Sequence, residues 1–186
     1  MRELLQIIFD ALSLGSLYAL GALGIALGLV AGYFGGVVDS VIMRIADVQL
    51  TFPAILIALL VNGVAKSLLG NRLDEMSTLG VLIIAIGLSF WVQYARTVRG
   101  SVMVEKNKDY VAAAQLIGLP AQKIMLRHVL PNTMGPILVI ATINLALAII
   151  TEATLSFLGS GMPDTMPSLG TLIRIGNNYL FAGEWW

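Results

Sequence analysis

Few residues in this chain are able to do chemistry. His128 is its one histidine, and it has no cysteine. A lone imidazole cannot assemble a metal site, and no Asp/Glu cluster accompanies it, so no metal ligation is expected. His128 reads as a helix-surface residue that touches a partner, in preference to a proton switch. Serines and aspartates are present, but nothing places them beside His128 as a triad. No catalytic residue is named, and the chain is not expected to be an enzyme. It also has no Gly-x-x-x-x-Gly-Lys-Ser/Thr phosphate loop. One amide and one carboxylate interrupt the apolar run of residues 136–157, Asn144 and Glu152. An aspartate at bilayer depth costs about 2.5–3.5 kcal/mol on insertion scales, so Glu152 should face a cavity or a partner. Alternatively the span ends near Thr151 and leaves Glu152 at the outer interface, which is the preferred reading.

The elements that hold these residues are membrane helices. The chain has 186 residues, 58% hydrophobic and 12% charged, with a mean hydropathy of +0.88. A soluble domain carries about a quarter of its residues as charges, so this chain lacks the polar shell a water-soluble fold needs. Its 11 basic and 11 acidic residues give no reason to expect nucleic acid as a partner. The absence of cysteine excludes disulfides and thiolate metal sites. The start, Met1-Arg2-Glu3-Leu4-Leu5, does not read as a secretory signal, because acidic residues follow the single Arg2.

Four spans are predicted within one membrane domain covering residues 1–186, at about 11–31, 48–65, 79–95 and 136–157. Residues 11–31 carry no charge, and about 20 residues cross a hydrocarbon core of about 30 Å. Gly15, Gly21, Gly24 and Gly28 in that run read as a surface for close helix packing. Gly32-Tyr33-Phe34-Gly35-Gly36 should break the helix. Val37–Leu50 follows as an amphipathic helix whose Asp39, Arg44 and Asp47 are expected to form charge pairs. Pro53 predicts a kink near Thr51 and Phe52. Arg96 and Arg99 should anchor the end of the third span and could neutralise Asp47 or Asp109. An alternating topology gathers Arg44, Arg96, Arg99, Lys106, Lys108, Lys123 and Arg127 on one side, seven of the 11 basic residues. The positive-inside rule therefore places the polar excursion 100–135 in the cytoplasm.

Within that excursion, residues 109–131 predict two short helices joined by a tight corner. Gly118 is suited to the left-handed position past the end of the first. Pro120 suits the first turn of the second, which should stop before Pro131. Ala112, Ala113 and Ala114 leave the first helix nearly smooth, so a partner groove could approach its backbone. Ile124, Leu126, Val129 and Leu130 interleave with Lys123, Arg127 and His128 on the second.

These residues resemble the permease subunits of binding-protein-dependent ABC importers, whose signature is Glu-Ala-Ala, three residues, Gly, nine residues, Ile, any residue, Leu-Pro. Ala113, Ala114, Gly118, Leu130 and Pro131 match it in spacing, whereas Ala112 stands at the glutamate position and His128 at the isoleucine position. Arg127-His128-Val129-Leu130-Pro131-Asn132 is similar to the variant of the oligopeptide, dipeptide and nickel branch. So are residues 31–36, 43–47, 52–53, 95–100 and 152–159, and the resemblance covers roughly residues 25–170.

The resemblance implies an all-α polytopic transmembrane bundle with a cytoplasmic coupling helix-turn-helix, in the cell inner membrane. Tyr110, Ala112, Ala113, Ala114, Gly118, Leu119, Pro120, Arg127, His128, Leu130 and Pro131 would dock a separate ATPase. The implied partners are a second permease subunit in a heterodimer, two ABC ATPase subunits, an extracytoplasmic substrate-binding protein, the lipid membrane and a di- or oligopeptide. The chain would bind no cofactor, ATP being consumed by the ATPase subunits. Asn144 and Glu152 would be the substrate-path residues, Glu152 meeting the peptide amino group if it lines the path. Nickel or another small solute of the same branch is the alternative cargo, and a non-transporting membrane fragment the alternative role. Members of the branch usually have six spans, so a chain with four reads as one lacking the first and last. A secondary transporter would favour inverted repeats, and no internal repeat is visible.

Overall fold

The computed structural model describes residues 21–69, 75–161 and 168–183. These residues are helical throughout, apart from the turns that join the helices. The helices are α1 (Gly21–Phe34), α2 (Gly36–Leu50), α3 (Ala54–Leu69), α4 (Glu75–Glu105) and α5 (Asp109–Leu116). Beyond them lie α6 (Ala121–Ile124), a π-helical turn (Met125–Val129), α7 (Leu130–Asn132), α8 (Met134–Phe157) and α9 (Leu169–Phe181). By length and composition, Gly80–Glu105 within α4 and Met134–Phe157 can each cross a membrane. The bent pair α2 and α3 makes a third if it is one span, and α1 is apolar but shorter. An all-α membrane protein follows. The first half of the 11–31 span, Gly15 with it, lies outside the described residues, as do residues 70–74 and the final Trp pair.

Two compact units are present, and one of them, residues 21–52 with 90–144, holds the predicted excursion. Its frame is α1 packed on α4. A Cβ on Gly24 would stand 2.4 Å from the Trp91 carbonyl oxygen, and one on Gly28 2.4 Å from that of Ala95. One on Gly32 would stand 2.9 Å from that of Arg99 and 2.8 Å from Val102 Cβ. Glycines four residues apart on α1 thus meet carbonyls four residues apart on α4, so the two helices run parallel with backbones in near contact. Gly32 belongs to this packing face and not to the break, which comes at Gly35 and Gly36, both at positive φ.

Helix α2 returns along α4 in the opposite sense. Arg96 pairs with Asp47, Arg99 with Asp39, and Trp91 Nε1 donates to Gln49 Oε1 at 2.6 Å. Ala46 is buried with Trp91, Val92 and Ala95. Asp47 thus meets one of the two α4 arginines expected to neutralise it, whereas Asp39 reaches across to Arg99 and not to Arg44 on its own helix. The helix ends at Thr51, whose hydroxyl donates to the Val48 carbonyl, and α3 begins after Pro53. Helix α4 does not stop at Arg96 and Arg99 but continues through Glu105, because both arginines face α2 and find acids there.

In the second unit, Asn62 on α3 is buried and donates from Nδ2 to the Ser160 carbonyl beyond α8. Ser168 caps α9 by accepting from the Thr171 amide at 3.1 Å.

Candidate functional site

The helix–corner–helix forms as an elbow seated on α1 and α4. Helix α5 starts at Asp109, which suits the positive end of a helix dipole. It closes in a Schellman turn. The Leu119 amide donates to the Ala114 carbonyl at 3.1 Å and the Gly118 amide to that of Gln115 at 2.9 Å. That turn needs a left-handed residue, and Gly118 supplies it at φ 82°. Pro120 sits one position earlier than expected, as the extended cap before α6.

The second helix does not stop before Pro131. A π-helical turn spans Met125–Val129, and the Leu130 amide bonds back five residues to the Met125 carbonyl. The widened turn resets the hydrogen-bond register, so Pro131 falls at the start of α7, where a proline needs no amide hydrogen. The chain then passes through Thr133 into α8.

Apolar packing holds the elbow in place. Val111, Ala114, Ile124, Met125 and Val129 are buried together with Leu29 of α1 and Val98 and Val102 of α4, and Tyr110, Leu119 and Leu130 pack against them. Polar contacts tie its entry. The Glu105 carboxylate accepts from Lys108 Nζ at 2.6 Å and from the Tyr110 hydroxyl at 2.7 Å. Burial pushes the Tyr110 phenol above its usual range; the Glu105 carboxylate adds to that push, and Asn132 opposes it. Lys106 Nζ donates to the Gly32 carbonyl at 2.8 Å and reaches that of Tyr33 at 3.4 Å.

This arrangement divides the sequence-predicted residues. Ala112, Ala113, Gly118, Pro120, Arg127 and Pro131 lie on the exposed side. Tyr110, Ala114, Leu119 and Leu130 face inward and hold the elbow's shape. His128 is half-buried, its Nδ1 3.4 Å from the Lys123 carbonyl. Sequence reasoning missed the most prominent surface residues. Leu116 is 89% exposed and Ile117 78%, side by side at the tip of α5, and Leu126 is exposed on the following turn. The exposed cations Lys123 and Arg127 lie on that second helix. Two large adjacent aliphatics just before a Schellman glycine, with no apolar repeat beyond them, were the available signal. Such a tip can insert into an apolar groove with acidic surroundings.

The substrate-path candidates belong to different units. Asn144 is 2% exposed, and neither atom of its amide has a partner among the described residues. The Glu152 carboxylate is half-buried and accepts from the Ser156 hydroxyl at 2.5 Å on its own helix.

Residues 24–183 match the family model for the binding-protein-dependent transport system inner membrane component. The dipeptide transport system permease protein DppC of Haemophilus influenzae is 34% identical over 164 residues, 88% of this chain and 52% of that protein. The oligopeptide transport system permease protein OppC of Bacillus subtilis is 37% identical over 163 residues, 88% of this chain and 50% of that protein. The glutathione transport system permease protein GsiD of Pectobacterium atrosepticum is 36% identical over 152 residues, 82% of this chain and 47% of that protein. The chain spans about half the length of the curated relatives it matches.

Proposed function

Because this chain belongs to the binding-protein-dependent transport system inner membrane components, we propose that it contributes one wall of a path by which di- or oligopeptides enter the cell. Separate ATPase subunits supply the energy, a second permease subunit completes the path, and an extracytoplasmic binding protein delivers the peptide. The elbow lies in the cytoplasm, where one ATPase subunit grips it. The chain performs no chemistry itself.

The observation that carries this reading is the exposed Leu116–Ile117 pair on a knob otherwise packed firmly into α1 and α4. Paired aliphatics held out in water lose hydration cost when a partner covers them, by roughly 25 cal/mol per Å² of apolar surface. A rigid knob also passes a push to the helices beneath it, where a floppy loop would absorb it. Ala112, standing where the family usually has an acid, leaves apolar contact and the cations Lys123 and Arg127 to carry the docking.

Asn144 fits a role in the path, since its unpartnered amide can serve a polar cargo. Glu152 fits a structural role better, because its carboxylate is already engaged by Ser156.

Replacing Leu116 and Ile117 together with aspartate tests the reading. Separate ATPase subunits should no longer co-purify with the chain, while its thermal unfolding stays unchanged. Retention of the ATPase in normal ratio overturns the docking assignment. Orientation has its own check. The chain lacks cysteine, so Gln122→Cys gives a single site that a membrane-impermeant maleimide should reach only from the cytoplasmic face.

A further inference from the structure

Glu105 and Lys106 follow one another at the end of α4, and neither lies on the docking surface. Successive side chains on a helix point about 100° apart, so each reaches a different neighbour. Glu105 is only 9% exposed, and both groups donating to it, Lys108 Nζ and the Tyr110 hydroxyl, belong to the entry of the elbow. Lys106 turns the other way. Its ammonium meets the Gly32 and Tyr33 carbonyls, near the carboxyl end of α1. Carbonyls there lack intrahelical partners and sit at the negative end of the helix dipole, a place where a cation is favoured.

We propose that Glu105 and Lys106 are positioning residues that form a two-sided joint: Glu105 holds the elbow to α4, and Lys106 holds α1 to α4. Displacing the elbow then moves α1 and α4 as one body. Apolar packing already joins the three elements, but the hydrophobic effect behind it is non-directional. Charge-assisted hydrogen bonds fix register along the helix axis, the direction in which a pull on the elbow acts. Directly below the joint, Gly32 rests against the Arg99 carbonyl and Val102, so a register held by Lys106 continues into the close α1–α4 contact. The joint rests on the reading that the elbow is gripped by a motor subunit, and it assigns how the grip is transmitted.

The first test needs no partner. Hydrogen exchange on the purified full chain should show Lys106→Met raising exchange about tenfold at residues 33–36, the loss of roughly one charge-assisted hydrogen bond, with α5 unchanged. Glu105→Gln should do the converse, loosening Asp109–Leu116 and leaving 33–36 as they were. Both variants loosening the same segment, or neither loosening any, overturns the two-sided joint.

The second test uses the complete complex with its ATPase subunits and binding protein in proteoliposomes. Lys106→Met should bind the ATPase in normal ratio and keep basal ATP hydrolysis. It should lose most of the stimulation by peptide-loaded binding protein, about tenfold, and Lys106→Arg should restore it. Unchanged stimulation overturns the joint, and so does loss of ATPase binding, which would make Lys106 a folding residue only. A wild-type chain that recruits no ATPase defeats the reading of the elbow as a docking site, and leaves the exchange result to decide the joint.

Discussion

Gly28 on α1 lies against the carbonyl of Ala95 on α4 so closely that a Cβ would stand 2.4 Å from the oxygen. A backbone carbonyl cannot swing aside as a side chain can, so even one methyl group must part the helices. Gly28→Ala should cost about 1–3 kcal/mol, the usual penalty for overpacking a tight interface. The control is Gly100→Ala on α4, where nothing lies within 4 Å and the alanine should instead add about 0.5–1 kcal/mol through helix propensity. Thermal unfolding in detergent compares the two; equal midpoints would mean the α1–α4 approach is looser than the structure shows.

Arg99 grips Asp39 with two hydrogen bonds, Nη2 to Oδ2 at 2.6 Å and Nε to Oδ1. The pair is partly shielded, with side chains 31% and 15% exposed, so it holds α2 on α4 more firmly than an open surface pair would. Asp39→Arg alone sets two cations face to face and should destabilise the chain. Adding Arg99→Asp should recover a coupling on the order of 1 kcal/mol in the double-mutant cycle. A coupling of zero would leave the attachment of α2 to Ala46, Trp91 and the Arg96–Asp47 pair.

Much of this architecture is written in local patterns. Gly24 and Gly28 recur at a helical period inside an uncharged run, and small residues at that spacing announce close approach before any partner helix is known. Gly118 before Pro120 announces a corner, and the corner forms there. Features that depend on neighbours distant in sequence were harder to read. Gly32 looked like a breaker because two more glycines follow, yet its role is set by Val102, 70 positions away. Asp39 has Arg44 on the same helix, yet its partner is Arg99 on α4, 60 positions away.

The elbow shows the same division. Pro131 reads as a stop signal because a regular α-helix cannot accommodate it. The π turn that shifts the register beforehand leaves no mark in the residue types of Met125–Val129. Aliphatics such as Leu116 and Ile117 ordinarily lie inside, and only the seated elbow shows that nothing in this unit covers them. Glu105 has one partner at the readable i,i+3 spacing, Lys108, and another, Tyr110, that the chain reaches only by turning the corner.

Tyr110 ties stability to alkaline pH. Burial, then the Glu105 carboxylate, raise its phenol above the ordinary value near about 10. The folded state therefore keeps its proton where the unfolded chain has released it. That contribution is complete below the unfolded pKa and is lost as pH rises through the folded one. Unfolding followed from about pH 8 to 11 should show a steeper alkaline loss for the native chain than for Tyr110→Phe. Parallel curves would remove the phenol from the account.

Asn144 supplies a prediction of unusual sign. It sits within α8 at 2% exposure, with neither end of its amide partnered among the described residues. A buried amide without hydrogen bonds costs about 1–3 kcal/mol, and in an apolar surrounding nothing offsets that cost. Leucine has the same branching and nearly the same reach, so Asn144→Leu removes the unsatisfied atoms without opening a cavity. Most core substitutions destabilise, but this one should raise the unfolding free energy by about 1–3 kcal/mol. Peptide uptake by the assembled transporter reads the other half of the question. A variant that is more stable yet slow in uptake would show that the polar group is kept for the cargo; unimpaired uptake would take Asn144 off the path. Lower stability would mean the amide is satisfied in the native protein, and its assignment as an open polar group would have to be abandoned.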